Sequence, residues 1–485
     1  MIDKKWGMIC LIFSSAIFLF VFLPVVFILY RLVPQLKYKN LLLAVASIVF
    51  YSFGQLKYVP LFLLSVVINY VSGLLLAGSG TRRRLILAAS VVLNIGILCC
   101  FKYTDFAIQN VNTLFSTSIP YKNIELPIGI SFFTFQGLSY TIDVYRDKES
   151  GTRDFLKLLL YISFFPQLIA GPIVKYHDIS GQIDARVCTP RLTESGLRRF
   201  IFGLSKKILI ANSVGFIADT VFNDYLPAGI SDWRLMWLGG ICYTLQIYYD
   251  FSGYSDMAIG MGRMFGFGFR ENFDHPYGAA SIKEFWHKWH ISLSSWFKEY
   301  LYIPLGGNRK GRVRTVINKL IVFFCTGIWH GANWTFVLWG FGHGLLSSLE
   351  DLGIIPVKNL SRSRAGRIAG KLYTLLAVML LFVIFRAQSV REAFYMIGAM
   401  FAGGTAENGA FLLRSLLDPA NCTVIVLAVL LAGNLPARLS TAAGERFDES
   451  AALHTVSTVF MLCLYALCIL SLSRGGFNPF IYFQF

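Results

Sequence analysis

The chain has 485 residues, 55% of them hydrophobic and only 15% charged, whereas soluble domains carry about 25% charged residues. So few charges cannot cover a water-exposed surface, which excludes a soluble globular protein. The net charge is +17, from 44 Lys and Arg against 27 Asp and Glu. Its basic residues are scattered among loops and form no continuous arm, so they read as anchors against anionic lipid and not as a nucleic-acid surface.

The first apolar block, LIFSSAIFLFVFLPVVFILY at 11–30, has no charge. About 20 apolar residues at about 1.5 Å each cross a hydrocarbon core of about 30 Å. Lys4 and Lys5 precede it as they would a signal peptide, but its length, Pro24 and the absence of a small-residue cleavage site favour a retained span. Further apolar blocks follow near 40–54, 57–78, 84–101, 124–142, 155–174, 198–222, 234–266, 315–330, 333–348, 371–386, 391–403, 423–435 and 455–473. They predict an all-α polytopic membrane protein with roughly ten to thirteen transmembrane or re-entrant helices. No long linker and no internal repeat interrupts them, so the expected organisation is one membrane domain over 1–485. Arg31, Lys37, Lys39 and Arg82–Arg84 fall in loops that the positive-inside rule puts in the cytoplasm. The nine cysteines form no CxxC pair and lie mostly in apolar stretches, as packing residues do.

Between Ile282 and Phe297 the residues Ile282, Phe285, Trp286, Trp289, Leu293, Trp296 and Phe297 recur at intervals of three and four. That spacing predicts one amphipathic helix with an aromatic stripe and a charged back. His287 falls on its polar side and His290 at the edge of the stripe. The loop Gly306–Arg312, with Asn308, Arg309 and Lys310, reads by itself as a positive-inside connector. The next block, VINKLIVFFCTGIWHGANWTFVLWGFGHGLL, holds His330 with no Asp or Glu beside it. An ionisable residue within the membrane faces a cavity or a partner helix. Gly331, Ala332 and Asn333 leave room for a helix break. His343, thirteen positions on, falls roughly 220° around a continuous helix and reads as structural.

Two chemistries suit His290 and His330 together. A metal centre is disfavoured, because seven histidines in all are fewer than histidine-box oxygenases use, and no metal is expected. Acyl transfer to an alcohol needs a base, and a positioned His contributes roughly 10²–10⁴-fold. It also needs oxyanion donors, for which Asn333 and the amides near Gly331 are candidates.

The strings FWHKWHISLSSWFKEYLYIPLGGNR and GIWHGANWTFVLWGFGHG resemble the membrane-bound O-acyltransferase family, in its bacterial alginate O-acetyltransferase-like branch. FFPQLIAGPIVKY at 164–176, YYDFSGYSDMAIG at 248–260, ENFDHPYGAASIKEFW at 271–286 and the final FIYFQF support the resemblance over most of the chain. It implies His330 as the central catalytic histidine, His290 as the second motif position, and a cytoplasmic funnel for an acyl thioester, most often acetyl-CoA, with no bound cofactor. Asn308, Arg309 and Lys310 would then receive the donor's phosphates, and Asp250 would orient helices or a histidine. In the tail, Tyr482 would carry the acyl group to a secreted or periplasmic partner acyltransferase at the bacterial inner membrane. Acceptors left open are alginate, peptidoglycan and teichoic acid, and a transporter without chemistry is the alternative from another class.

Overall fold

The computed structural model describes residues 11–78, 80–169, 171–360, 362–433, 451–474 and 480. Every regular element among them is helical, as the apolar blocks predict. The described chain divides into two compact units, one formed by residues 1–200 and 254–270 and the other by 201–253 and 271–485.

The first unit contains α1 (Leu36–Gln55), α2 (Val59–Ala77), α3 (Arg83–Lys102), α4 (Ile130–Arg146) and α5 (Phe155–Ser163). Gly54, at φ 90°, breaks the run between α1 and α2, and Pro60 sits in the first turn of α2, where its missing N–H costs nothing. The unit buries polar groups among apolar ones and turns apolar side chains outward. Asn69 and Asn94 exchange amide hydrogen bonds at 3.0 and 3.1 Å, and the Thr141 hydroxyl donates to Asn69 at 2.9 Å. Leu64, Val67, Leu75, Leu85 and Val92 stay exposed, a distribution that suits lipid and not water.

Two longer helices follow, α6 (Pro190–Ser205), continued by π-helical turns, and α7 (Trp233–Met264). The second unit adds α8 (Ile282–Lys288), α9 (Ile291–Phe297), α10 (Gly311–His330), α11 (Trp334–Leu352), α12 (Arg364–Arg386), α13 (Val390–Ala402), α14 (Pro419–Ala432) and α15 (Ala451–Ser473).

Among the described residues five helical runs are long and apolar enough to cross a membrane: Leu36–Ala77, Arg83–Lys102, Pro190–Tyr225, Arg364–Arg386 and Ala452–Ser473. A sixth is counted if Gly409–Leu416 and Pro419–Ala432, bent by 70°, form one broken span. Other expected blocks are helices too, but carry buried polar residues: α7 alone buries Gln246, Asp250, Ser252, Ser255 and Asp256. Such helices owe their place to protein neighbours and not to hydropathy.

Candidate active site

The aromatic-striped segment is not one helix. Its start is well defined: Ser281 Oγ accepts from Glu284 N at 3.0 Å while Glu284 accepts from Ala280 N at 2.9 Å, a capping box displaced by one residue. Glu350 of α11, buried, accepts from Ile282 N at 2.7 Å and Lys283 N at 3.0 Å, placing a carboxylate on the positive end of α8. After Lys288 the chain leaves the helix. Trp289 is extended, and His290 takes the left-handed conformation at φ 45°, ψ 53°, before α9 begins. A strap at 272–274 clamps this break: Ile291 N donates to Asn272 O and Asp274 N to Lys288 O, both at 2.9 Å. Because of the break, His287 and His290 do not belong to one continuous helix.

Asn272, fully buried, also fixes the His290 ring. Its Oδ1 accepts from Ser292 N at 3.2 Å and lies 3.2 Å from His290 Nδ1. A backbone N–H can only donate, so the amide atom facing both is the oxygen. His290 Nδ1 therefore carries the proton, and Nε2 keeps the lone pair. Burial pushes the pKa of this imidazole well below its ordinary value, keeping it neutral.

His330 is the last residue of α10. Gly331 follows in an extended conformation, and α11 turns back along α10 as an antiparallel hairpin. Small residues line the seam: a Cβ added at Gly327 would lie 2.4 Å from Phe336 O, and one at Gly340 2.3 Å from Phe323 O. This turn overturns the continuous-helix placing of His343. The Trp339 ring lies between the two histidines, 5.1 Å from His330 and 5.1 Å from His343. His343 is fully buried among Phe285, Trp286, Phe323 and Trp339. His330 itself is 4% exposed, with Trp329 at 4.9 Å and Phe385 at 5.3 Å between ring centroids. The His290 and His330 rings stand 6.5 Å apart, edge to face.

A cavity of about 450 Å³ lies beside this pair in the same unit. Lys283, Lys298, Lys319, His287, Asn308 and Asp351 are among its lining residues, and Ile291 and Thr326 bring the lining to within one residue of His290 and one turn of His330 in sequence. Neither histidine is itself part of the lining. Asp351 bridges Lys319 at 2.5 Å and Lys283 at 3.1 Å. Burial acts to raise its pKa, but hydrogen bonds from both lysines outweigh that and hold the carboxyl below the usual range.

The membrane-bound O-acyltransferase family profile matches residues 90–391, more than half of the chain. The chain belongs to this family. It is 38% identical to a probable alginate O-acetylase of Pseudomonas putida, over 98% of this chain and all of that protein, and 36% identical to that of Pseudomonas aeruginosa over the same shares. It is 35% identical to a peptidoglycan O-acetyltransferase of Helicobacter pylori over 80% of each. The protein is thus a multi-pass membrane O-acyltransferase that uses an acyl donor.

For a member of this family the fold brings together two of the three residues expected to carry the chemistry, His330 and His290. Tyr482 lies outside the described residues. Of the three expected donor-binding residues, Asn308 lines the cavity, while Arg309 and Lys310 are exposed in the adjoining turn and do not. That turn is tied to α10 by Asn318, which donates to Gly307 O at 2.8 Å. Asn333 does not stand ready as an oxyanion donor: its Oδ1 caps α11 at Thr335 N and its Nδ2 donates to Gln388 O at 2.7 Å. Sequence reasoning missed Asn272, although it lies in the family-like string at 271–286, and missed Lys319, whose position on the cavity depends on the hairpin.

Proposed function

We propose that this chain transfers an acetyl group from cytoplasmic acetyl-CoA to the outer face of the bacterial inner membrane, for O-acetylation of a polysaccharide such as alginate. The observation that carries this reading is the pair of buried imidazoles, His290 and His330, 6.5 Å apart beside a lysine-walled cavity. Lys283, Lys298 and Lys319, with Asn308, suit the phosphates of a coenzyme A donor, and Arg309 and Lys310 add positive potential from the next turn. Extended coverage favours alginate over peptidoglycan: the alginate O-acetylases align along 98% of the chain and the peptidoglycan O-acetyltransferase along 80%.

In the mechanism we favour, His330 takes the proton of the attacking hydroxyl. That oxygen bonds to the acyl carbon, the carbon–sulfur bond breaks, and the departing thiolate receives the proton from the imidazolium. Tyr482 supplies the first hydroxyl, and its acetyl ester passes to a secreted or periplasmic partner acyltransferase that acetylates the polymer. Purified protein incubated with labelled acetyl-CoA tests both roles. His330→Ala is expected to lower transfer by roughly 10²–10⁴-fold, and undiminished transfer would remove His330 from the reaction. Tyr482→Phe is expected to abolish stable label on the protein, and normal labelling would eliminate the tyrosine carrier.

A further inference from the structure

Acyl transfer passes through a tetrahedral intermediate whose oxygen carries the developing charge, and a site that speeds the step aims hydrogen-bond donors at that oxygen. The donors expected near His330 are already engaged. Asn333 caps α11 and donates to Gln388 O, and the Gly331 amide closes the end of α10 on Gly327 O at 3.4 Å. The ring that meets His330 from α11 offers another. Trp339 is 1% exposed and stands edge to face against His330, at 87°, with ring centroids 5.1 Å apart.

The indole Nε1 of Trp339 is buried and finds no acceptor among the described residues. An indole nitrogen can only donate, and a buried one usually has a partner. Leaving it unmade costs the desolvation of the group, whereas a phenylalanine would keep an aromatic contact without that cost. Packing therefore does not account for the nitrogen. The rings around it besides His330 are Phe385, His343 and Trp286, with centroids 5.0, 5.1 and 5.7 Å away. Trp286 lines the lysine-walled cavity, so Trp339 links the cavity wall to His330 ring by ring. At the next residue, Gly340, the α10–α11 seam brings main chain against main chain, and the indole is held on a rigid support.

We propose that Trp339 is a catalytic residue whose indole N–H donates to the oxygen of the tetrahedral intermediate while His330 handles the proton. As the hydroxyl oxygen bonds to the acyl carbon, the π pair of the carbonyl moves onto its oxygen, and the N–H meets the charge there. The pair returns when the carbon–sulfur bond breaks and the thiolate leaves. The hydrogen bond strengthens as the charge builds, so it favours the transition state over the bound donor. The proposal rests on the reading of His330 as the base and adds the donor that this reading lacks.

The test measures initial rates with labelled acetyl-CoA on the full chain in lipid nanodiscs. Trp339→Phe is expected to lower kcat by roughly 10²–10³-fold and to leave the Michaelis constant for acetyl-CoA unchanged. Because phenylalanine is smaller, a second form replaces Trp339 by 3-benzothienylalanine, in which sulfur stands for the N–H and the bicyclic shape is kept. It is expected to show the same loss at the wild-type melting temperature. Wild-type kcat in that form would overturn the proposal, and a loss confined to Trp339→Phe would do the same by assigning the ring to packing. His330→Ala, run alongside, separates the two ideas. Full transfer there would overturn the His330 reading and the proposal with it; abolished transfer there, with wild-type kcat in the benzothienylalanine form, would overturn the indole donor alone.

Discussion

His290 is held in a conformation that few side chains other than glycine adopt. At φ 45° it sits in the left-handed region, where Asn and Asp are the best tolerated replacements and β-branched residues are strained. His290→Asn is therefore the substitution that removes the imidazole while keeping the backbone, and it is expected to lower acyl transfer without lowering the melting temperature, measured side by side on purified protein. Asn272 governs the same ring from a distance of eighteen residues in sequence. Asn272→Leu deletes the acceptor for Nδ1–H, and a hydrogen bond of about 1.5 kcal/mol corresponds to roughly a tenfold loss. That loss is expected in kcat with the donor Michaelis constant unchanged, and Asn272→Asp, which keeps an acceptor oxygen, is expected to recover most of it. The motif strings made His290 and His330 legible. Nothing local marks Asn272, because its role arises only when the 272–274 strap folds onto the helix break.

At the level of elements, the sequence is most legible where one period governs and least where two helices share it. The stripe from Ile282 to Phe297 runs through a break, because both α8 and α9 bury aromatic faces and no Gly or Pro marks the junction. The α10–α11 hairpin was half legible: Gly331 and Asn333 signalled a break, but not that the chain would reverse and put Trp339 between two histidines. Its seam makes a sharp prediction. Gly340→Ala places a methyl 2.3 Å from a backbone oxygen, and overpacking of this kind costs about 1–3 kcal/mol. Gly398→Ala in α13, with nothing within 4 Å of the new methyl, is expected to hold or raise the melting temperature. Thermal unfolding of the two variants in the same detergent checks the contrast. Glu350→Ala, which strips the carboxylate from the start of α8, is expected to cost about 1–3 kcal/mol.

For the whole chain, 15% charge excludes a soluble protein, and the length of the apolar blocks adds that the spans are helices. The number of spans is harder to read, because helices such as α7 bury carboxylates and amides that a hydropathy window counts against them. The surplus of +17 suggests lipid anchoring, and nothing in it signals that Lys283, Lys298 and Lys319 line a cavity. Lys283→Ala/Lys319→Ala is expected to raise the Michaelis constant for acetyl-CoA several-fold with little change in kcat, and to flatten its dependence on ionic strength. Steady-state kinetics at two salt concentrations measures both.

The hairpin also works as a ruler. Gly327 and Gly340 bring main chain against main chain, and along the first arm the rise from Lys319 to His330 is eleven residues of helix, about 16 Å. A donor whose anionic head rests at the lysines must therefore send its reactive carbonyl that far on a slender arm, which pantetheine provides. Acetyl phosphate, with head and carbonyl on adjacent atoms, has no such reach, and it is expected to fail as a donor even at millimolar concentration.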